Sequence, residues 1–200
     1  MKGQNMKSID VAASSHGWRM WVRDHTAAAA LVSGLVATQM ATVVGYWLPG
    51  VGLPQLDWNR VNGAIFTPTA STNVQFLSGG VFHYLDGIVF AFIFAVGVYP
   101  VLVWRSSALG NIAKGLAFGT VLALISVLFM IPRVYFPDAN PGFFSWNFGW
   151  KLVLAVFVWH WVYGLHLGLI FNPAGPVENP APGRSGESAE TSRTLSTPRG

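Results

Sequence analysis

Four long apolar segments dominate the sequence, at about residues 27–48, 79–104, 113–131 and 152–171. Each is close to the ~20 residues that an α-helix needs to cross the ~30 Å hydrocarbon core of a bilayer. Within a membrane, the backbone polar groups of a segment must be hydrogen-bonded inside that segment, so each segment must be helical. The sequence therefore predicts an all-α membrane protein with four transmembrane helices.

The composition agrees with that class and excludes several others. Hydrophobic residues make up 52% of the chain and charged residues 10%, whereas soluble domains have about a quarter charged residues. The chain has no cysteine, which excludes disulfides, thiolate metal sites and cysteine nucleophiles. The net charge is +4, but the basic residues form no cluster in the sequence, so we expect no nucleic-acid partner.

The two ends of the chain differ from the apolar middle. Residues 11–25 mix tryptophan and methionine with arginine, which is typical of a helix lying at the membrane surface, and they belong to a predicted cytoplasmic tail of residues 1–26. Residues 173–200 have almost no apolar side chains and are predicted to be a disordered cytoplasmic tail. Residues 27–172 are predicted to form the transmembrane bundle.

The distribution of lysine and arginine predicts the orientation. Nine of the twelve basic residues fall in the two tails and in the second connection, and this bias marks the cytoplasmic side. The nine are Lys2, Lys7, Arg19, Arg23, Arg105, Lys114, Arg184, Arg193 and Arg199. We therefore expect a multi-pass protein of the bacterial inner membrane with both termini in the cytoplasm.

A weak duplication relates the two halves of the chain. Residues 49–54 and 132–137 both follow the pattern Pro-x-Val-x-apolar-Pro, and each follows an apolar segment. Residues 83–88 (HYLDGI) resemble residues 160–165 (HWVYGL). The pattern favours a tandem repeat of two helical hairpins related by an axis along the membrane normal. The alternative is chance similarity between apolar segments.

Small residues recur at every fourth position in each segment, which is typical of helices that pack closely in lipid. His83 and His160 lie in two of these rows of small residues, so we expect them to face protein. With Lys114 assigned to the second connection, the other ionisable residues inside the predicted spans are Asp86 and His166. Such residues are costly in a membrane and are candidates for function.

Two interpretations of these polar residues stay open. His83 and His160 could be the axial ligands of a b-type haem, with Asp86 and His166 as a proton or ligand site. Otherwise each histidine makes an interhelical hydrogen bond. A metal site would need more converging ligands, and the chain has no phosphate-binding loop or Gly-x-Ser-x-Gly nucleophile motif. No catalytic or metal-binding residue is therefore predicted.

The segment HWVYGLHLG at residues 160–168, together with GLVAT at residues 34–38, resembles a loose group of prokaryotic families of unknown function. These are small four-helix inner-membrane proteins with histidine and glycine recurring in helices two and four. The resemblance covers about residues 27–172. It implies a fold and a location, and no activity.

The first functional hypothesis is a non-catalytic accessory or structural subunit of a larger bacterial membrane complex, respiratory or photosynthetic. Its partners would be the lipid bilayer and other membrane subunits. The aromatic connection at residues 132–151 would either dock such a partner or form an ordinary aromatic belt at the membrane surface. The alternatives are a haem-binding electron carrier using His83 and His160, and a small transporter or proton pathway.

Overall fold

The computed structural model describes residues 17–102 and 107–174, and these residues form helices and turns without any β-strand. Four segments are long and apolar enough to cross a membrane, which confirms the predicted all-α membrane fold. The helices are α1 (17–24), α2 (Thr26–Trp47), α3 (Trp58–Phe66), α4 (Thr72–Ile93), α5 (Ala108–Ile125) and α6 (Trp150–Ile170). Two of them continue as π-helix, α4 over Phe94–Val98 and α5 over Ser126–Tyr135.

The second span runs from Thr72 to Val98, whereas the sequence predicted residues 79–104. Its polar first turns are helical because the short helix α3 packs against them. The contact is so close that a Cβ atom on Gly79 would overlap the carbonyl oxygen of Asn59. At the other end, the chain leaves the helix at Pro100, whose ring cannot continue the hydrogen-bond ladder.

The third span begins at Ala108, five residues before the predicted start. Ser107 caps it, because its hydroxyl oxygen accepts a hydrogen bond of 3.1 Å from the backbone N–H of Gly110. Lys114, predicted to lie in the connection, is therefore inside the helix and buried. Its Nζ atom lies 4.0 Å from the ring centroid of Tyr99, a cation–π contact.

The first hairpin of the predicted repeat is α2 with α4, and the second is α5 with α6. Within each hairpin, small residues at corresponding positions hold the two helices together. In each hairpin, a glycine of the first helix contacts two small residues one turn apart on the second helix, which leaves no room for a side chain. The two sets are Gly34 with Gly87 and Ala91, and Gly115 with Gly164 and Gly168. The structure thus pairs the residues that the sequence repeat relates.

The four long helices do not form a closed ring of contacts. α2 packs against both α4 and α6, and α5 packs along α6. Among the described residues, α4 and α5 form no comparable pair. The hydroxyl of Tyr163 on α6 donates a 2.7 Å hydrogen bond to the carbonyl oxygen of Gly87 on α4, which connects the hairpins behind this gap.

The helix α1 lies against the C-terminal end of α6. The Trp18 indole N–H donates to the carbonyl oxygen of Ile170 at 3.0 Å, and the backbone N–H of Ala174 donates to the carbonyl oxygen of Arg19 at 2.9 Å. The first bond satisfies a carbonyl that the end of a helix leaves without a partner. The predicted tails 1–26 and 173–200 are described only at residues 17–26, 173 and 174, and the rest of both predictions lies outside the described residues.

Candidate functional site

A cavity of about 160 Å³ lies inside the bundle, between α4 and α5. α6 forms its back, and α3 closes it at the end of the bundle where the second span begins. Of the residues that line it, three are exposed: Asp86 and Phe90 on α4, and Ile125 on α5. We call these three residues the α4–α5 opening. Because both helices face lipid there, the cavity opens sideways toward the membrane.

His83 reaches the cavity from α4 and is bonded to α2. Its Nε2 atom lies 3.0 Å from the hydroxyl oxygen of Thr42, and that hydroxyl lies 2.7 Å from the carbonyl oxygen of Thr38. A carbonyl oxygen can only accept, so the Thr42 hydroxyl donates to Thr38. Thr42 then accepts from His83, and the proton of a neutral His83 ring is on Nε2.

His160, the counterpart of His83 in the second hairpin, is bonded differently. Its Nδ1 atom lies 2.7 Å from the carbonyl oxygen of Val156, which can only accept, so Nδ1 has the proton. In the neutral ring, Nε2 is then an acceptor, and the Ser126 hydroxyl donates to it at 3.2 Å. The two histidines line the same cavity in opposite tautomers.

Asp86 lies at the α4–α5 opening, near the middle of the span Thr72–Val98. In the part of the chain that the structure describes, its carboxyl group has no hydrogen bond or ion pair, and the cavity lining contains no lysine or arginine. A carboxylate at this depth is costly and usually has a partner. Asp86 is therefore available to a group from outside the chain.

Several lining residues have a buried polar atom without a hydrogen-bond partner: Oγ1 of Thr38, Nε1 of Trp58, Oδ1 of Asn62 and Nε1 of Trp159. The Trp159 nitrogen faces away from the cavity, because a Cβ atom on Gly45 of α2 would lie 3.3 Å from it. The Thr38 oxygen is packed in the α2–α4 contact, because a Cβ atom on Gly87 would overlap it. The other two atoms belong to α3. Buried polar groups nearly always have a partner, so their clustering here indicates a bound molecule or ordered water.

Aromatic rings surround the cavity. The ring centroid of Trp58 is 5.1 Å from that of Tyr135 and 6.1 Å from that of Trp159. α3 positions Trp58 and is capped by Asp57, whose side chain accepts a 3.1 Å hydrogen bond from the backbone N–H of Arg60. The Tyr46 hydroxyl donates to the same Asp57 oxygen at 3.0 Å and fixes the start of α3 to α2.

Of the predicted site residues, the structure brings His83, Asp86 and His160 together and leaves His166 apart. The Nδ1 atom of His166 donates to the carbonyl oxygen of Val162 at 2.7 Å, within its own helix. Thr38, Trp58, Asn62 and Ser126 were not predicted to be part of the site. The aspartate before Trp58 is a helix N-cap signal that could have indicated α3.

The haem hypothesis meets two geometric obstacles. An apolar cavity of about 150 Å³ holds one benzene ring, whereas a haem has a macrocycle of four pyrrole rings. The Nε2 atoms of His83 and His160 are also both bonded to hydroxyl groups. A haem would therefore require the helices to separate and both hydroxyls to be displaced. Haem ligation by His83 and His160 stays a prediction.

Fold and site together define a class: a four-span membrane protein with a mainly apolar, aromatic-lined cavity that contains a few polar groups and opens between two of its spans. A comparison of the chain with protein-family models, curated proteins and solved structures finds no match. The functional argument therefore rests on the cavity itself.

Proposed function

We propose that this chain is a non-catalytic integral membrane protein that binds a small lipid-soluble molecule in the cavity between α4 and α5. The observation that supports this most directly is the pair of buried, unpaired polar atoms on Trp58 and Asn62 beside a cavity in the membrane-spanning region. A ligand that bonds to them removes an unfavourable free energy that the empty site retains.

The size of the cavity limits the ligand. About 160 Å³ is close to the volume that holds a single ring, and it is below the 300–1,000 Å³ of sites for drug-sized molecules. Only a head group of one-ring size enters the cavity. The remainder of a larger molecule extends through the α4–α5 opening and lies in the lipid beside Phe90 and Ile125.

We also propose that the protein lies in the bacterial inner membrane with both termini in the cytoplasm. The distribution of lysine and arginine supports this orientation. With an even number of spans, the chain enters and leaves the bundle on the same side of the membrane. In agreement with this, α1 lies against Ala174, just after the end of α6. In this orientation α3 and the aromatic connection after α5 face the periplasm.

A matched pair of variants on α5 tests the proposed function. Ile125→Trp places a large ring in the α4–α5 opening, whereas Val121→Trp places the same ring one turn away on an equally exposed part of the helix that does not line the cavity. The protein is purified in mild detergent and extracted with organic solvent, and the extract is analysed by mass spectrometry.

We expect a small organic molecule to co-purify with the original chain and with Val121→Trp. Its yield should fall at least about tenfold in Ile125→Trp, since a tenfold loss corresponds to only ~1.4 kcal/mol of binding free energy. Equal yields from all three proteins, or no enriched molecule in any of them, would contradict the proposal.

A second candidate function is an accessory or structural subunit of a larger respiratory or photosynthetic complex. The observation that favours it is the exposed aromatic surface at one end of the bundle, where Phe143 is 86% exposed and Trp146 58% exposed. Aromatic residues are enriched in protein interfaces as well as at membrane surfaces. Purification in mild detergent that yields the chain alone, from cells at native expression level, would count against this candidate.

The haem carrier and the proton pathway stay predictions with simple tests. Protein produced with haem supplied should show a Soret absorbance band if His83 and His160 bind haem. A transport or proton function that uses Asp86 requires that Asp86→Asn reduce the flux in proteoliposomes.

A further inference from the structure

The charge of the cavity lining indicates which chemical class the ligand belongs to. Asp86 is the one carboxyl group in the lining, and the lining has no lysine, arginine or second acidic residue. The two histidines, when neutral, contribute no net charge, and three of their four ring nitrogens are bonded to hydroxyl groups and to Val156. When Asp86 is ionised, the site therefore has one uncompensated negative charge near the middle of the membrane.

The aromatic lining is complementary to the same class of ligand. The cavity is lined by the rings of Trp58, Phe90, Tyr135, Trp159 and Tyr163. The face of an aromatic ring has a partial negative charge, so it attracts an organic cation, and rings arranged around a site are the common way in which proteins bind substituted ammonium groups. Neither the aromatic rings nor Asp86 would favour an anionic head group.

The position of Asp86 defines how such a cation would lie. Asp86 is on the exposed side of the cavity, next to Leu85 and one turn before Val89, both of which face outward. A cationic group at Asp86 therefore lies between the enclosed cavity and the lipid. An apolar substituent of the cation can then extend into the hydrocarbon, while the charged group stays at Asp86.

From the cavity, its aromatic lining and the unpaired carboxyl group, we infer that the ligand is a lipophilic organic cation, an amine or ammonium compound with an apolar tail. This inference rests on the proposed function, because it names the class of molecule that occupies the same cavity. The Asp86 carboxylate pairs with the cation, the rings contact it, and the tail leaves through the α4–α5 opening.

Two probes that differ only in charge test the inference. Para-hexylbenzylammonium has one ring, a short apolar tail and a positive charge, and para-hexylbenzyl alcohol has the same ring and tail without the charge. Binding of each is measured by calorimetry on the full chain in lipid nanodiscs, with empty nanodiscs subtracted. The proteins are the original chain, Asp86→Asn and Ile125→Trp.

We expect the original chain to bind the ammonium probe at least about tenfold more tightly than the alcohol, a difference of ~1.4 kcal/mol. Asp86→Asn keeps the shape of the side chain and removes its charge. It should lower the affinity for the ammonium probe at least about tenfold and so abolish this preference. An unfolding temperature equal to that of the original chain shows that the variant is folded. Ile125→Trp should weaken both probes.

The other outcomes separate the two proposals. If both probes bind equally well to the original chain and Ile125→Trp weakens both, the lipophilic site is correct and the cation inference is wrong. An unchanged preference for ammonium in Asp86→Asn also overturns the inference. If neither probe binds, the cavity holds water only, and both proposals fail.

Discussion

At the scale of single residues, the two repeat-related histidines have become chemically different. His83 donates through Nε2 to a threonine, and His160 accepts through Nε2 from a serine. In each case a neighbouring carbonyl oxygen sets the direction of the hydrogen bond. The Thr38 carbonyl accepts from the Thr42 hydroxyl, and the Val156 carbonyl accepts from Nδ1 of His160. Histidines at corresponding positions of two similar segments can thus have different roles, because the groups around them differ between the hairpins.

Nitrogen NMR of protein with labelled histidine tests this difference. We expect a neutral His83 ring to be protonated at Nε2 and the His160 ring at Nδ1. His166, whose Nδ1 atom also faces a carbonyl oxygen at 2.7 Å, is the control and should resemble His160. Replacing each histidine by glutamine in turn assigns the signals. An Nδ1-protonated signal that disappears in His83→Gln would contradict the hydrogen-bond directions.

At the scale of the helices, close glycine contacts hold each hairpin together. Gly164 of α6 faces Gly115 of α5, and a Cβ atom on either would overlap the backbone carbonyl of the other. In lipid the hydrophobic effect does not drive helices together, so their stability depends on such close packing. Two further glycines, Gly119 and Gly168, bring the helices equally close, because a Cβ atom on them would overlap the carbonyl oxygens of His160 and Asn111 on the facing helix.

The variants Gly164→Ala and Gly97→Ala measure this packing. The alanine at position 164 must push α5 and α6 apart, and we expect the free energy of unfolding to fall by ~1–3 kcal/mol. At Gly97, in the π-helical end of the second span, no atom lies within 4 Å of an added Cβ, so the change should be within ~0.5 kcal/mol. Denaturation in mixed micelles gives both values. Similar losses would show that the α5–α6 contact is looser than described.

The sequence could predict the spans and two of the histidines because these signals are local. Hydrophobicity marks a span, and the four-residue spacing of small residues around His83 and His160 marks a buried helix face. α3 could not be predicted in this way, since the nine residues Trp58–Phe66 mix polar and apolar types. Their helix packs on Gly79 of α4, a contact between residues that are distant in the chain.

The site was predicted in part for the same reason. Asp86 and His83 are three residues apart on one helix, so their shared face follows from helix geometry. Trp58 and Ser126 join them only because α3 and the π-helical end of α5 meet α4 and α6 in space. Which helix faces meet depends on the whole bundle, and no local pattern in the sequence contains that information.

At the scale of the whole molecule, the two hairpins do not form a closed symmetric bundle. α2 packs against α6, and among the described elements the equivalent pair α5 and α4 is missing. The cavity occupies the place of that missing contact. The asymmetry therefore produces the site, because a fully symmetric bundle would fill this space with packed helices.

The proposed orientation can be tested because the chain has no cysteine of its own. Phe143→Cys and Leu109→Cys place single thiols at positions that are 86% and 77% exposed at opposite ends of the bundle. With a membrane-impermeant maleimide, we expect Phe143→Cys to be labelled in intact spheroplasts and Leu109→Cys only after lysis. The reverse pattern would place both termini in the periplasm.

The separate packing of the two hairpins has a consequence for how the protein is made. All residues of the Gly34–Gly87–Ala91 contact have left the ribosome before the second hairpin is complete. At ~5–20 residues per second, the first hairpin precedes the end of α6 by roughly 4–14 s. During that interval His83 can already bond to Thr42 of α2, but the side of α4 that carries the Gly87 carbonyl group has no facing α6. The Gly87 carbonyl oxygen therefore waits for the Tyr163 hydroxyl of α6, and lipid or the membrane insertion machinery covers this side of α4 until the second hairpin arrives.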